Sequence, residues 1–207
     1  MKLAPFLEGL LDALAPPLCV ACDEALPPGG QGFCQGCEPL LEPAPGDLPR
    51  ASFLYGGPMA DAMRKFKYGG RSEYASIFVP LMLADASAVA RDVAAVVPVP
   101  LHQRRERERG YNQSALLARR LATELGLPFA PRALRRVRDT PPQASLDLKK
   151  RLSNVRAAFA ANGPAPARVL LIDDVRTTGS TLSECASVLR AAGADRVYSL
   201  VLARVES

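Results

Sequence analysis

The chain contains no tryptophan, a single histidine and few aromatic residues, 6% in all. So few rings offer little for stacking on unpaired bases, and a nucleic-acid role cannot rest on aromatic platforms here. With His102 as the only histidine and no serine elbow before it, a Ser-His-Asp nucleophile triad is almost excluded. No GxxxxGK[ST] occurs, which removes the P-loop, and no GxGxxG follows an apolar run, which removes support for a dinucleotide fold. No internal repeat is present. The apolar start, MKLAPFLEGLLDALAPP, is too short to cross a membrane. Glu8 and Asp12 interrupt it, only Lys2 precedes it, and no small-residue cleavage site follows. An integral membrane segment is therefore not expected, and the expected compartment is the cytoplasm. Phe6, Leu7, Leu10, Leu11 and Leu14 recur at helical spacing and predict a short amphipathic helix. It either packs on its own domain or meets a partner or membrane surface.

What is present fits a folded globular protein. Nearly half of the 207 residues are apolar, enough for one substantial core and a small appendage. Charge is unevenly spread. Residues 1–63 carry two basic and eight acidic side chains, whereas 101–156 carry fourteen basic and five acidic ones. A basic middle suits an anionic ligand or partner; the alternative is a solvated arginine-rich helix face.

Four of the five cysteines form Cys19-x2-Cys22 and Cys34-x2-Cys37, with eleven residues between the pairs. Two such knuckles supply the four thiolates of a tetrahedral zinc site, closed and therefore structural. Disulfides are the alternative, disfavoured in a cytoplasmic chain, as is a redox Cys-x-x-Cys, which has no need of doubling. Cys185 shares a helical face with Leu182 and Leu189 and reads as core. The Pro-rich stretch EPAPGDLPRA reads as a linker, giving residues 1–46 as an N-terminal helix and zinc ribbon and 47–207 as the main domain.

In the main domain strands alternate with helices. SFLYGG reads as a strand, MADAMRKFKYGG as a helix, 72–91 as a second helix and AAVVPVP as a buried strand ending in prolines. Asn112 to Leu125 reads as a helix, ALRRVR as a candidate strand, and Leu146 to Ala158 as a helix. ARVLLID is a buried strand, Ser180 to Ala192 a helix, and RVYSLVLAR the last strand. The class expected is α/β with a mostly parallel sheet flanked by helices, and ligands of such sheets sit at the carboxyl ends of the strands.

The densest chemistry is VLLIDDVRTTGST, residues 169–181. Asp173 and Asp174 end an apolar strand, and Thr177, Thr178, Gly179, Ser180 and Thr181 turn into the next helix. Backbone N–H groups at a helix start, with hydroxyls beside them, bind a phosphate monoester; paired carboxylates accept from a vicinal diol. Together they suit a ribose 5-phosphate. A helix cap and a polar loop form the bland alternative. Arg104, Arg105, Arg107 and Arg109 in HQRRERERG suit phosphate oxygens, with Arg109 favoured because Gly110 and a helix start follow it. Glu106 and Glu108 pair with some of these arginines. Lys67 is a further candidate, its alternative an ordinary helix-end cation. His102 is a loop ligand or a bystander.

The order Val-Leu-Leu-Ile-Asp-Asp-Val-x-Thr-Thr-Gly-x-Thr resembles the phosphoribosyl pyrophosphate (PRPP) signature of type I phosphoribosyltransferases. With the cysteine pairs, the chain resembles the competence-associated ComF family. FKYGGR (66–71), PVPLHQRRERERGYNQS (98–114) and the run Arg138, Thr140, Gln143, Leu146, Arg151, Asn154 and Phe159 belong to the same resemblance. Arg176 stands where the signature often has an aliphatic residue. The resemblance implies a type I phosphoribosyltransferase fold. Asp173 and Asp174 would hold the ribose hydroxyls, Thr177 to Thr181 the 5-phosphate, and the turn Val99, Pro100, Leu101 and His102 the pyrophosphate. Mg²⁺ would bridge pyrophosphate and ribose oxygens. The implied reaction is displacement of pyrophosphate at C1 through an oxocarbenium-like state. Asp173, Asp174 and Arg109 are the candidate catalytic residues, and the acceptor is unnamed. The implied setting is natural competence, with single-stranded DNA and the helicase and uptake proteins as partners. A non-catalytic PRPP-binding accessory and a metabolic transferase are the rival readings.

Overall fold

The structure, a computed structural model, describes residues 16–46, 50–139 and 157–206. Four parallel strands form its sheet in the order β1 (Arg50–Leu54), β6 (Arg196–Arg204), β5 (Arg168–Arg176), β2 (Ala95–Pro98). Strands β3 (Leu134–Arg136) and β4 (Phe159–Ala161) pair antiparallel as a separate ribbon. The helices are α1 (Gly57–Tyr68), α2 (Ala75–Ala90), α3 (Gln103–Arg109), α4 (Gln113–Leu125) and α5 (Ser180–Ala191). The mostly parallel α/β class expected from the sequence is what the chain forms.

Period-two alternation divides the core. Val96, Leu170, Ile172, Leu200 and Leu202 face a cluster holding Met59, Met63 and Phe66 of α1, Phe78 and Met82 of α2 and Leu117 and Leu121 of α4. Val97, Val169, Leu171 and Val201 face Leu182, Cys185 and Leu189 of α5. A sheet buried on both faces explains why VVP and VLLI read as continuous apolar runs. Cys185 is fully buried in that second cluster, as its spacing predicts. The stretch Ser72–Ala90, with mean hydropathy 1.3, is long and apolar enough by composition to cross a membrane. Its residues Phe78, Val79, Met82 and Ala86 are instead spent on the core.

The arginine-rich stretch is a helix, α3: His102 caps its start, Gly110 in the left-handed region (φ 85°) closes it, and Arg104 pairs with Glu108 one turn on at 3.0 Å. Two local readings differ from the sequence expectation. Strand β5 continues through Asp173 and Asp174 to Arg176, where it still pairs in register with Arg204. Within the Pro-rich linker, Glu42 and Ala44 bond antiparallel to β1, with Ala44 N–H donating to Ser52 O at 3.0 Å. The helix read over Leu146 to Ala158 lies, up to Arg156, outside the described residues; Ala157 and Ala158 precede β4 and are not helical.

The cysteine segment shares its core with α1 and α2. Cys19, Val20, Ala21, Leu26 and Cys34 belong to the cluster that holds Met63 and Phe66. Gly32 is a close fit at this seam: φ is +90°, and a Cβ there would stand 3.3 Å from Ile77 Cγ2. Gly32→Ala is expected to destabilise the zinc-loaded protein by about 1–3 kcal/mol, the scale of a strained left-handed residue, read as a lowered melting temperature.

Candidate functional site

The carboxyl ends of β2 and β5 frame a cavity of about 670 Å³. Asp173 and Asp174 stand toward the carboxyl end of β5, and α1 and α4 bring side chains to them. Lys67 Nζ meets Asp174 Oδ2 at 3.1 Å, and Ser114 Oγ donates to Asp173 Oδ1 at 2.7 Å. Burial alone works against a charge on Lys67, but the Asp174 carboxylate more than restores it, and its pKa lies above the ordinary value. Asp173 is the opposite case. Burial, then the neighbouring Asp174 charge, pushes its pKa up to about 7, against the hydrogen bonds from Ser114 and the Asp174 backbone N–H.

Next to the carboxylates the chain turns through Thr177 and Thr178 to Gly179, which at φ 78° opens α5. The left-handed conformation there favours glycine. The Thr178 and Ser180 hydroxyls lie 3.0 Å apart, and Ser180 N–H donates to Thr178 Oγ1 at 3.4 Å. On the other side lie the turn Val99, Pro100 and Leu101 and the start of α3. Asn112 Nδ2 donates to Val99 O at 3.1 Å and so ties this turn to α4. Arg109 places its guanidinium 4.8 Å from the Tyr68 ring centroid and donates to Gln113 Oε1 at 2.9 Å. Lys67, Arg104, Arg105, Arg109 and Arg136 line the cavity against Glu108, Asp173 and Asp174, so cationic groups outnumber anionic ones.

Of the residues predicted for the site, Lys67, Val99, Pro100, Leu101, Arg104, Arg105, Arg109, Asp173, Asp174, Thr177 and Thr181 line this one cavity. His102 does not. It caps α3, with Nδ1 accepting the Arg104 N–H at 3.3 Å, and lies 3.7 Å from Asp139. Thr178, Gly179 and Ser180 form the turn beside the cavity rather than its lining.

Sequence reasoning missed five contributors. Asn112, Gln113 and Ser114 open α4 and touch the turn, Arg109 and Asp173 in succession. Arg136 comes from β3, its guanidinium 5.3 Å from the Phe159 centroid and its pKa lowered by burial and then by Arg105. Asp139 gathers Arg104 at 3.3 Å and Arg105 at 3.6 Å. Only the helix start at Asn112 was visible beforehand; Ser114 with Asp173 and Asp139 with Arg104 and Arg105 join positions far apart in the chain.

The four paired cysteines form a second centre. Their Sγ atoms all lie within 4.8 Å of one another, with Cys22 and Cys34 at 3.6 Å. Four sulfurs about 2.3 Å from a tetrahedral ion stand about 3.8 Å apart, so the cluster has the dimensions zinc requires. The thiols respond to crowding. Burial, then hydrogen bonds with the other three, holds Cys37 well above the ordinary thiol value. Burial also works to raise Cys19, but backbone N–H groups, including that of Cys34 at 3.3 Å, prevail and bring it down to about 7.

A parallel sheet carrying a carboxylate pair and a hydroxyl-rich turn at its carboxyl edge is the arrangement of a type I phosphoribosyltransferase fold. The phosphoribosyl transferase domain family matches residues 111–207. The chain belongs to the ComF family of competence and DNA-utilization proteins. It is 34% identical over 194 residues to DNA utilization protein YhgH of Salmonella typhi, covering 90% of this chain and 84% of that protein. It is 31% identical over 198 residues to competence protein F of Haemophilus influenzae, covering 91% and 85%. Among solved structures, orotate phosphoribosyltransferase from Aeropyrum pernix is 22% identical over 75% of this chain and 68% of that one, at a TM-score of 0.42.

Proposed function

We propose that the cavity binds PRPP with Mg²⁺ and that the protein transfers the phosphoribosyl group from it with release of pyrophosphate. One observation carries this reading: the carboxylate pair, Thr177 and Thr181 at the two ends of the hydroxyl-rich turn, the turn 99–101 and Lys67, Arg104, Arg105 and Arg109 line one space. Asp173 and Asp174 accept the ribose hydroxyls. The turn and the start of α5 hold the 5-phosphate through backbone N–H groups and hydroxyls. Val99 to Leu101, with the arginines, hold the pyrophosphate. His102 supports that group at one remove, by capping the helix that carries the arginines. Mg²⁺ suits the hard oxygens of the ligand and of Asp173 and Asp174, and when bound it neutralises the departing charge. Arg109, held by Gln113 and Tyr68, is the protein's own cation at that leaving group. Zinc in the Cys19, Cys22, Cys34 and Cys37 cluster is structural, since four thiolates leave no position for water.

The setting is DNA handling during competence, in the cytoplasm, with single-stranded DNA and uptake proteins as partners. The relatives' names support it, and so does the basic run through α3 and β3. Those names speak of competence and DNA utilization rather than of a transferase. That supports a second reading, a PRPP-binding accessory without turnover. A pyrophosphate-release assay with Mg²⁺ and PRPP separates the two. Release stimulated by DNA, a nucleobase or an amine donor establishes the transferase; no release under any of these with PRPP bound establishes the accessory.

A further inference from the structure

Gln113 is the first residue of α4, and its side chain is among the most enclosed polar groups described, with the residue 2% exposed. Its neighbours on both sides have their hydrogen bonds assigned: Asn112 to Val99 O and to the Ala115 N–H, Ser114 to Asp173. Gln113 is half used. Its Oε1 accepts from Arg109 at 2.9 Å, which fixes the orientation of the amide, while Nε2 has no hydrogen-bond partner among the described residues. An enclosed amide donor left unpaired costs stability, so such a group points to an acceptor that arrives from elsewhere. Gln113 lines the cavity, and the N-terminus of a 13-residue helix adds its partial positive charge at the same place. Its own contact is Arg109, and its neighbour Asn112 holds the Val99 turn, the two groups assigned above to the pyrophosphate.

From this we infer that Gln113 and Arg109 act as one unit on the pyrophosphate group, Gln113 Nε2 donating to a phosphate oxygen while Oε1 holds the guanidinium in place. The inference rests on the PRPP reading above and assigns a binding residue within it. Gln113 does not serve as a mere latch for Arg109, because a latch needs only its carbonyl oxygen.

Gln113→Glu separates the two roles. It keeps an acceptor for Arg109 and removes the donor. Titrations of wild type and variant with Mg²⁺-PRPP, Mg²⁺-pyrophosphate and ribose 5-phosphate, each protein first checked by its melting temperature, give the test. The expected result is a loss of roughly 10- to 100-fold in affinity for PRPP and pyrophosphate, with ribose 5-phosphate affinity unchanged. Gln113→Met, which removes both roles at similar size without adding a negative charge beside the phosphates, is expected to lose affinity for the same two ligands; unchanged affinity in it would make the Gln113→Glu loss one of charge repulsion and would overturn the inference. Equal PRPP and pyrophosphate affinity in wild type and Gln113→Glu overturns the inference and leaves the PRPP reading standing. An equal loss for all three ligands also overturns it, by making Gln113 a general support of the site. Wild type that binds neither PRPP nor pyrophosphate overturns the reading beneath it as well.

Discussion

Asp173→Asn is expected to raise the melting temperature of the ligand-free protein and to abolish PRPP binding, while Asp174→Asn, one residue on, lowers both. The two carboxylates are adjacent but differently supported. Asp173 holds its proton up to about pH 7, against an ordinary value of 3.8, because burial and the Asp174 charge oppose ionisation. The folded state therefore binds a proton that the unfolded chain has released, and stability falls as pH rises from about 4 through about 7. At about 1.4 kcal/mol per unit, and allowing for the amide introduced, Asp173→Asn should gain about 1–3 kcal/mol above pH 7. Its oxygen still accepts from Ser114. Under the PRPP reading, what it loses is the charge that would make it a strong acceptor for ribose hydroxyls, the usual exchange of stability against function at a binding site.

Asp174 has the opposite account. Lys67, only 20% exposed, has that carboxylate at 3.1 Å, and Asp174→Asn leaves the ammonium enclosed without its charge partner. A loss of about 1–3 kcal/mol is expected, below the figure for a fully buried pair. Melting curves of the three proteins from pH 5 to 8.5 check both claims. The wild-type curve should fall from pH 5 through about 7 and then level off, and Asp173→Asn should flatten that fall. Parallel curves for wild type and Asp173→Asn would contradict the assignment.

The second large effect concerns the cysteine cluster. Purified protein is expected to carry one zinc ion per chain, and a strong chelator should lower the melting temperature by on the order of 10 °C or more. The loss should not stop at residues 16–41. Cys19, Val20, Leu26 and Cys34 share a core with Met59, Met63 and Phe66, and Lys65 reaches Asp23 at 2.7 Å. Asp23, the exposed partner of that pair, leaves it open to solvent screening; the apolar packing carries the coupling. Lys67 sits on the same helix, so metal removal should also weaken PRPP binding. Cys22→Ser should reproduce this. Cys185→Ala, in the other core, should keep the zinc. Metal-free protein with unchanged melting and binding would refute the coupling.

How much of this was legible beforehand depends on range. The apolar run 169–172 and the order Asp-Asp-x-x-Thr-Thr-Gly-x-Thr are local, and strand, turn and helix follow in the order the pattern gives, the strand running on to Arg176. The cysteine pairs are local too. Helix α3 buries no residue, so no apolar stripe announces it and its charge alone left a helix face as one of two readings; its caps and the Arg104–Glu108 pair hold it. Ser114 meets Asp173 across 59 residues, and Asp139 reaches back to Arg104 and Arg105. No spacing rule reaches that far; only the fold brings these groups together.

The most direct test of the central claim is a calorimetric titration of the zinc-loaded protein with Mg²⁺-PRPP, beside the double variant Asp173→Asn with Asp174→Asn. The account predicts saturable one-site binding to wild type and none to a folded double variant. Equal binding by the two proteins, or none by wild type, would contradict it.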